Sequence, residues 1–384
     1  MSNFKEMILS LTGENSHKVK IPLGQGSLSI GLTGMDKKKY DVLIDEHLPV
    51  NWNTFDEFYT GAGSHWPRFF YYYGDDTGFI KWSEKRKIER FCWYPNKSVI
   101  LDLTKADIQQ FSIRVKENQK VKIILGEKIL RLTLNGNIEN IEFETIGKAF
   151  PMVSLYPDLL KEAEKSYSLP VFESLKNIRS LDLGGDVLGQ PIDCKSLSQF
   201  TSLTSLSLSG SLISLDFLKE LKSLKSLGLR YVPNLDGFPQ LNCWTDLKEF
   251  IGWNIEEVEG KRLRGELKKL MSEREMNYSS VSQLRKKIWF TTEYGMPFSA
   301  WDAKNTKQAV KAYKEALKVI KKAKEKDEVK IAIEDFVKVI NLLPDIETSE
   351  REDVAVAVSQ LIQVSSLGID ESEGMKWFDF VRDF

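Results

Sequence analysis

The sequence predicts an α/β chain in which a short solenoid of repeated coils lies between an N-terminal α+β domain and a C-terminal helical bundle. Three observations predict it. Leucines recur as L-x-x-L-x-L in the middle of the chain, apolar residues alternate with polar ones before that stretch, and apolar residues take helical spacing after it. At 384 residues the chain exceeds one ordinary core, and its expected units are 1–104, 105–258 and 259–384. An apolar share of 42% beside a charged share of 28% fits a folded globular chain rather than a disordered one.

Residues 1–104 are rich in glycine and aromatic residues, including Trp52, Phe55, Phe58, Trp66, Phe79, Trp82 and Trp93. They read as a compact α+β domain of short strands. Gly24, Gly26 and Gly31 lie in GQGSLSIG, whose spacing fits neither the dinucleotide fingerprint nor the P-loop. A hairpin turn between strands is expected there. Phe69, Tyr71 and Tyr73 alternate as one buried strand face would.

Residues 105–150 alternate through Phe111, Ile113 and Val115, then Val121, Ile123 and Leu125, then Leu130, Leu132 and Leu134, then Ile141 and Phe143. Ile129, Leu132 and Leu134 also fit the leucine template, so these strands are either the first coils of the solenoid or a small sheet docked on it. Residues Pro157 to Tyr167 read as a short helix with proline in its first turn.

The template itself is met by Ile178, Leu181 and Leu183, by Leu203, Leu206 and Leu208, by Leu224, Leu227 and Leu229, and in decayed form by Leu247, Phe250 and Gly252. Its middle positions lie 25, 21 and 23 residues apart. Between them, Ile192, Leu197 and Phe200, then Leu215, Leu218 and Leu221, then Phe238, Leu241 and Trp244 are expected to cover the other side of each coil. Over about residues 175 to 258 the chain resembles the leucine-rich repeat family. The resemblance implies stacked coils with a continuous core and ends that need caps, and it speaks to architecture rather than to function. The family's asparagine after the third leucine is replaced by Gly184, Ser209, Arg230 and Trp253, so its asparagine ladder is not expected.

The last third has helical periodicity over Glu259 to Met276, Thr306 to Lys324 and Val329 to Leu343, with Pro344 as a stop. Ser349 and Glu352 form an S-x-x-E capping box before the next helix, and a final helix starts at Glu371. Residues 261–326 are basic and the following segment is acidic. Neighbouring helices of opposite charge explain this, and a surface that steers a charged partner is the sharper alternative. The tail, from ETSEREDVAVAVSQLI to WFDFVRDF, resembles the ends of bacterial immunity proteins encoded beside contact-dependent toxins. That resemblance implies inhibition of a toxin domain by binding.

Motifs of chemistry are sparse. His17, His47 and His65 have no metal-ligand spacing, and Cys92, Cys194 and Cys243 are odd in number and far apart. A reducing cytoplasm fits best, with no secretory signal and no spanning helix expected. No cofactor, no metal and no catalytic residue is assigned. An enzyme site around His65, Asp75 and Asp76 is the alternative from another class, and turn chemistry at D-D-T-G explains the two acids without it.

The expected site is the outward face of the repeat strands, because strand side chains alternate and the leucines take the inner side. Asp182 and Ser207 would line it. Arg230, Glu249 and Trp253 would anchor a protein partner, since arginine and tryptophan dominate interface energetics. Trp253 has a second reading, as a cover between the last coil and the C-terminal helices. Nucleic acid is not favoured as a partner, for no base-stacking or groove-reading module accompanies the basic helices. The expected function is that of an immunity protein which occludes a toxin, with a scaffold or regulatory adaptor as the runner-up.

Overall fold

The computed structural model describes residues 6–22, 24–56, 58–59, 65–145, 150–161 and 163–384. Residues 1–5, 146–149 and 162, where parts of the expectations above fall, lie outside the described residues. The chain forms two compact units, Met1–Lys287 and Ile288–Phe384.

The first unit begins with an antiparallel hairpin of β1 (Glu6–Ser10) and β2 (Lys18–Pro22). A twelve-stranded sheet then starts with β3 (Ser27–Leu32), β4 (Val42–Ile44), β5 (Phe69–Tyr73) and, after the short helix α1 (Gly78–Ser83), β6 (Ile88–Tyr94). β2 and β3 lie in different sheets, so the glycines of GQGSLSIG do not make the expected hairpin turn. Gly31 instead sits inside β3, where a Cβ would meet the Tyr40 ring at 2.7 Å.

Residues 105–145 divide between two sheets. β8 (Ile108–Val115), β10 (Arg131–Gly136) and β12 (Met152–Pro157) join the large sheet, while β7 (Val99–Asp102), β9 (Val121–Leu125) and β11 (Ile141–Thr145) form a three-stranded parallel sheet of their own. The helix expected from Pro157 is absent among the described residues. Pro157 ends β12, paired with Gly136, because the apolar alternation of the preceding residues extends the sheet up to it.

The leucine template then gives β13 (Ser180–Gly184), β15 (Ser205–Ser209), β17 (Ser226–Arg230) and β18 (Glu249–Trp253), with the two-residue strands β14 (Ile192–Asp193) and β16 (Leu212–Ile213) between them. Register is strict: Leu181, Leu206, Leu227 and Phe250 are neighbours across strands, as are Leu183, Leu208, Leu229 and Gly252. Each is buried, and a fully buried leucine contributes roughly 1.5–3 kcal/mol. The return segments carry short 3₁₀ turns that bury Leu197, Leu218 and Leu241 on the far side of each coil. No asparagine closes these turns. Main-chain bonds do so, from Gly185 N–H to Ser209 O (3.0 Å), Gly210 N–H to Tyr231 O (3.3 Å) and Tyr231 N–H to Trp253 O (3.1 Å).

The unit ends with α2 (Glu257–Glu273) and β19 (Ser280–Ser282), which pairs with β18. Leu263, Leu267, Leu270 and Val281 join one core that runs from Leu9 through every coil. The large sheet is parallel throughout and crosses the boundary expected at residue 104 without a break. The order of its strands is the order of the chain, except that β4 takes the edge beyond β3.

The second unit is helical, with α4 (Ala303–Ile320), α5 (Lys326–Asn341), α6 (Thr348–Val364) and α7 (Glu371–Val381) following the short α3 (Lys287–Thr292). Its own core gathers Phe298, Tyr313, Phe336, Leu361 and Phe378. The capping box expected at Ser349 does not form, for Ser349 already lies within α6 and bonds Glu350. A reciprocal box stands before α5 instead, made by Glu325 and Glu328. The architecture is thus an α/β chain: a long parallel sheet of twelve strands followed by a helical region.

Candidate functional site

All five residues expected at a binding face lie on one side of the large sheet. Asp182 pairs with Ser207, Ser207 with Gly228, and Gly228 with Ile251 along one row. Glu249 ends the row of Ser180, Ser205 and Ser226, and Trp253 stands beside Arg230 in the row of Gly184 and Ser209. Neighbouring strands are about 4.8 Å apart, so Arg230 and Trp253 are within reach of one contacting group. Beside them the floor is low at Gly228, two residues before Arg230 and opposite Ile251, where a Cβ would find no atom closer than 3.6 Å.

The five differ in how free they are. The Arg230 side chain is exposed and has no ion-pair partner among the described residues. Trp253 is half-buried and packs edge-on against Tyr231, with ring centroids 4.9 Å apart. β19 extends the sheet beyond it, with Trp253 opposite Ser282, and α2 supplies apolar residues to the core. Glu249 accepts a hydrogen bond from the Ser226 hydroxyl at 2.6 Å. Asp182 accepts one from the Tyr156 hydroxyl.

Tyr156 leads to the part of the face that sequence reasoning missed. The register carries the central row back from Asp182 through Ser154, Thr133, Ser112 and Cys92 to Tyr71 and Ser29. In β5 the buried residues are Phe70 and Tyr72, while Phe69, Tyr71 and Tyr73 are half-buried on the open side. The expected assignment of these residues to the core is therefore shifted by one position. A five-residue run of aromatics carries no polar partner to mark its outer face, and a one-residue shift exchanges the faces.

This second part of the face is built from rings and guanidinium groups. The Tyr73 and Tyr94 rings stack at 4.1 Å with planes 3° apart, and Tyr40 meets Tyr73 edge-on at 5.1 Å. Arg90 lies over the Phe69 ring at 5.4 Å and donates from Nε to Gln110 Oε1 at 3.0 Å. Arg114 holds Asp158 through two bonds of 2.7 and 2.9 Å. Burial raises the phenols of Tyr73, Tyr94 and Tyr156 above their ordinary range, so all three stay neutral donors near pH 7.

The residues of the alternative enzyme site have other tasks. Asp75 Oδ1 accepts the N–H groups of Asn96 (2.6 Å) and Lys97 (3.1 Å). Asp76 Oδ2 accepts the Trp52 indole N–H at 2.6 Å, and its Oδ1 accepts the Gly78 N–H at the start of α1. His65 packs on the Tyr59 ring, and burial followed by the Arg86 charge lowers its pKa. Among the described residues no group of histidine, cysteine and carboxylate side chains could hold a metal ion. Burial raises the Cys194 thiol to about 12, far from a reactive thiolate. No helix among the described residues is long and apolar enough to cross a membrane.

The basic helices resolve into two kinds. In α2, Lys261 pairs with Glu257 at 2.6 Å and Arg262 with Glu259 and Glu266 at 2.7 and 2.6 Å, so much of its charge is met within the helix. In α4, Lys307, Lys311, Lys314 and Lys318 are exposed and unpaired among the described residues. Comparison with known proteins finds no family model, no curated protein and no solved structure that matches this chain.

Proposed function

We propose that this chain is a leucine-rich-repeat-type binding protein, a solenoid with a C-terminal helical bundle, that holds a folded protein partner on the open face of its sheet. The observation that carries the reading is the juxtaposition of an exposed Arg230, without an ion-pair partner among the described residues, with Trp253 beside a floor of serines, Gly228 and Ile251. Arginine and tryptophan beside a surface without relief let a partner's backbone approach and then anchor it. The Tyr73, Tyr94 and Tyr156 rings extend the same face with the residue types that bind at low entropic cost.

The finer reading is that of an immunity protein, whose partner is a toxin domain and whose action is occlusion. It rests on the resemblance of the tail from Glu347 to Phe384. An adaptor would use the same face. Reading the adjacent gene and, where it encodes a toxin domain, co-expressing the two separates the readings: a stable complex and cell survival are expected. Arg230→Ala with Trp253→Ala should weaken that complex by about 2 kcal/mol or more, roughly thirtyfold. Unchanged affinity in the double variant would remove the proposed anchors.

A further inference from the structure

A second surface lies at the opposite ends of the same strands. The residue before each repeat strand forms a ladder along the rim: Thr204 and Ser205 donate to Arg179 O, Lys225 and Ser226 to Thr204 O, and Lys248 and Glu249 to Lys225 O, all at 2.7–3.0 Å. These bonds set Arg179, Thr204, Lys225 and Lys248 side by side at the strand spacing of about 4.8 Å. Arg179 and Lys225 open onto a groove of about 850 Å³ whose other lining is Asn177, Phe150 and the hydroxyls of Thr201, Ser202, Thr204 and Ser223. No acid lines it.

The charge is not a requirement of the fold. Following the strand register to the same rim position gives Gln109, Leu130 and Pro151 in the preceding coils, and those coils pair as regularly. Nor is the charge spent internally. Arg179, Lys225 and Lys248 are exposed and make no ion pair among the described residues, whereas Arg114, Lys122 and Lys128 elsewhere in the unit each hold a carboxylate. Glu249, which follows Lys248 in the chain, is turned to the sheet face and bonded to Ser226.

We infer that this rim groove binds an extended acidic segment of a protein partner, with Arg179 and Lys225 meeting its carboxylates and the hydroxyls meeting its main chain. A guanidinium donates two parallel N–H bonds to a carboxylate, and uncharged donors around it suit peptide carbonyls. A single-stranded nucleic acid fits less well. Its grooves add several aromatic platforms for bases, and here the one ring among the described lining residues is the half-buried Phe150. The inference does not depend on the toxin reading, since the rim lies about five residues, roughly 17 Å, along each strand from Arg230 and Trp253.

Titration of the full chain with a fluorescein-labelled hexaglutamate peptide tests it, beside a single-stranded oligonucleotide of equal charge. Peptide binding that weakens with salt is expected, with a loss of about fivefold to tenfold in Arg179→Gln with Lys225→Gln. Thermal unfolding of that variant should match the parent, since both side chains are exposed. No peptide binding, unchanged binding in the variant, or tighter binding of the oligonucleotide would overturn the inference. Loss of peptide binding in Arg230→Ala with Trp253→Ala, but not in the rim variant, would place the peptide on the sheet face and overturn it equally.

Discussion

Strands β5–β6 and strands β15–β17 belong to one sheet yet solve its two sides differently. In β15 and β17 every inward residue is leucine and every outward residue but Arg230 is serine or glycine. In β5 both sides are aromatic, with Phe70 and Tyr72 inside and Phe69, Tyr71 and Tyr73 outside. The inner rings join a cluster around Trp52, where Phe79 stacks on Phe91 at 4.0 Å and Trp52 on Trp82 at 5.8 Å. The leucine coils hold the fold by repetition of one small contact. The aromatic coils hold it by a few large ones, and they keep large side chains for the open face as well.

The largest expected effect breaks that contrast directly. Phe91→Ala removes a ring that touches four others and should cost about 3–5 kcal/mol, against about 2–5 kcal/mol for Leu206→Ala in the middle of the leucine coils. Urea unfolding followed by circular dichroism measures both. Equal midpoints would mean that the aromatic cluster adds no more than an ordinary coil.

The same contrast governs what could be read from the sequence. In SLTSLSLSGS, leucine and serine alternate, and that difference fixes which side is buried. In FFYYY there is no such difference, so alternation exists but its phase does not follow from the residues. The four long helices were legible because their apolar stripes recur at three and four. Their caps were less so, for Ser349 and Glu352 match a capping box that the chain does not use, since α6 begins one residue earlier, at Thr348. DLLKEAEKS after Pro157 has good helix formers and still carries no helix among the described residues. The partnership of Tyr156 with Asp182 spans 26 residues between adjacent coils and leaves no local trace. The rim groove was invisible for a related reason, because its lining comes from short segments of successive coils.

An intermediate effect comes from pH. Burial raises Tyr72 and Tyr73 above the ordinary tyrosine range, and Tyr94 shares the direction and the cause. Unfolded phenols ionise near pH 10, so the unfolded chain gives up protons that the folded chain keeps. This contribution to stability is therefore complete below about pH 10 and lost as pH rises through and beyond it. Tyr156, Tyr167 and Tyr313 share the direction, so the share of the aromatic end is read by removing one of its phenols. Urea midpoints across that range should fall more steeply for the parent than for Tyr94→Phe. Parallel curves would sever the link between these rings and alkaline lability.

A smaller change in stability, with a large one in binding, is expected at the floor of the face. Gly228→Arg adds a Cβ that meets Ser207 only at ordinary contact distance, 3.6 Å, so stability should move by no more than about 0.5 kcal/mol. A partner lying across the serines would then be blocked, and affinity should fall at least tenfold. Retained affinity would move the partner toward the aromatic end.

The smallest effect concerns the joint between the two ends. Tyr156 and Asp182 are both partly open to water, so their hydrogen bond should be worth about 0.5 kcal/mol, at the low end for such bonds. A double-mutant cycle of Tyr156→Phe with Asp182→Asn measures it. Weak coupling would leave Asp182 free to exchange Tyr156 for a partner's donor, as a face residue should. Coupling above about 1.5 kcal/mol would make the pair a brace between β12 and β13 and take Asp182 out of the binding surface.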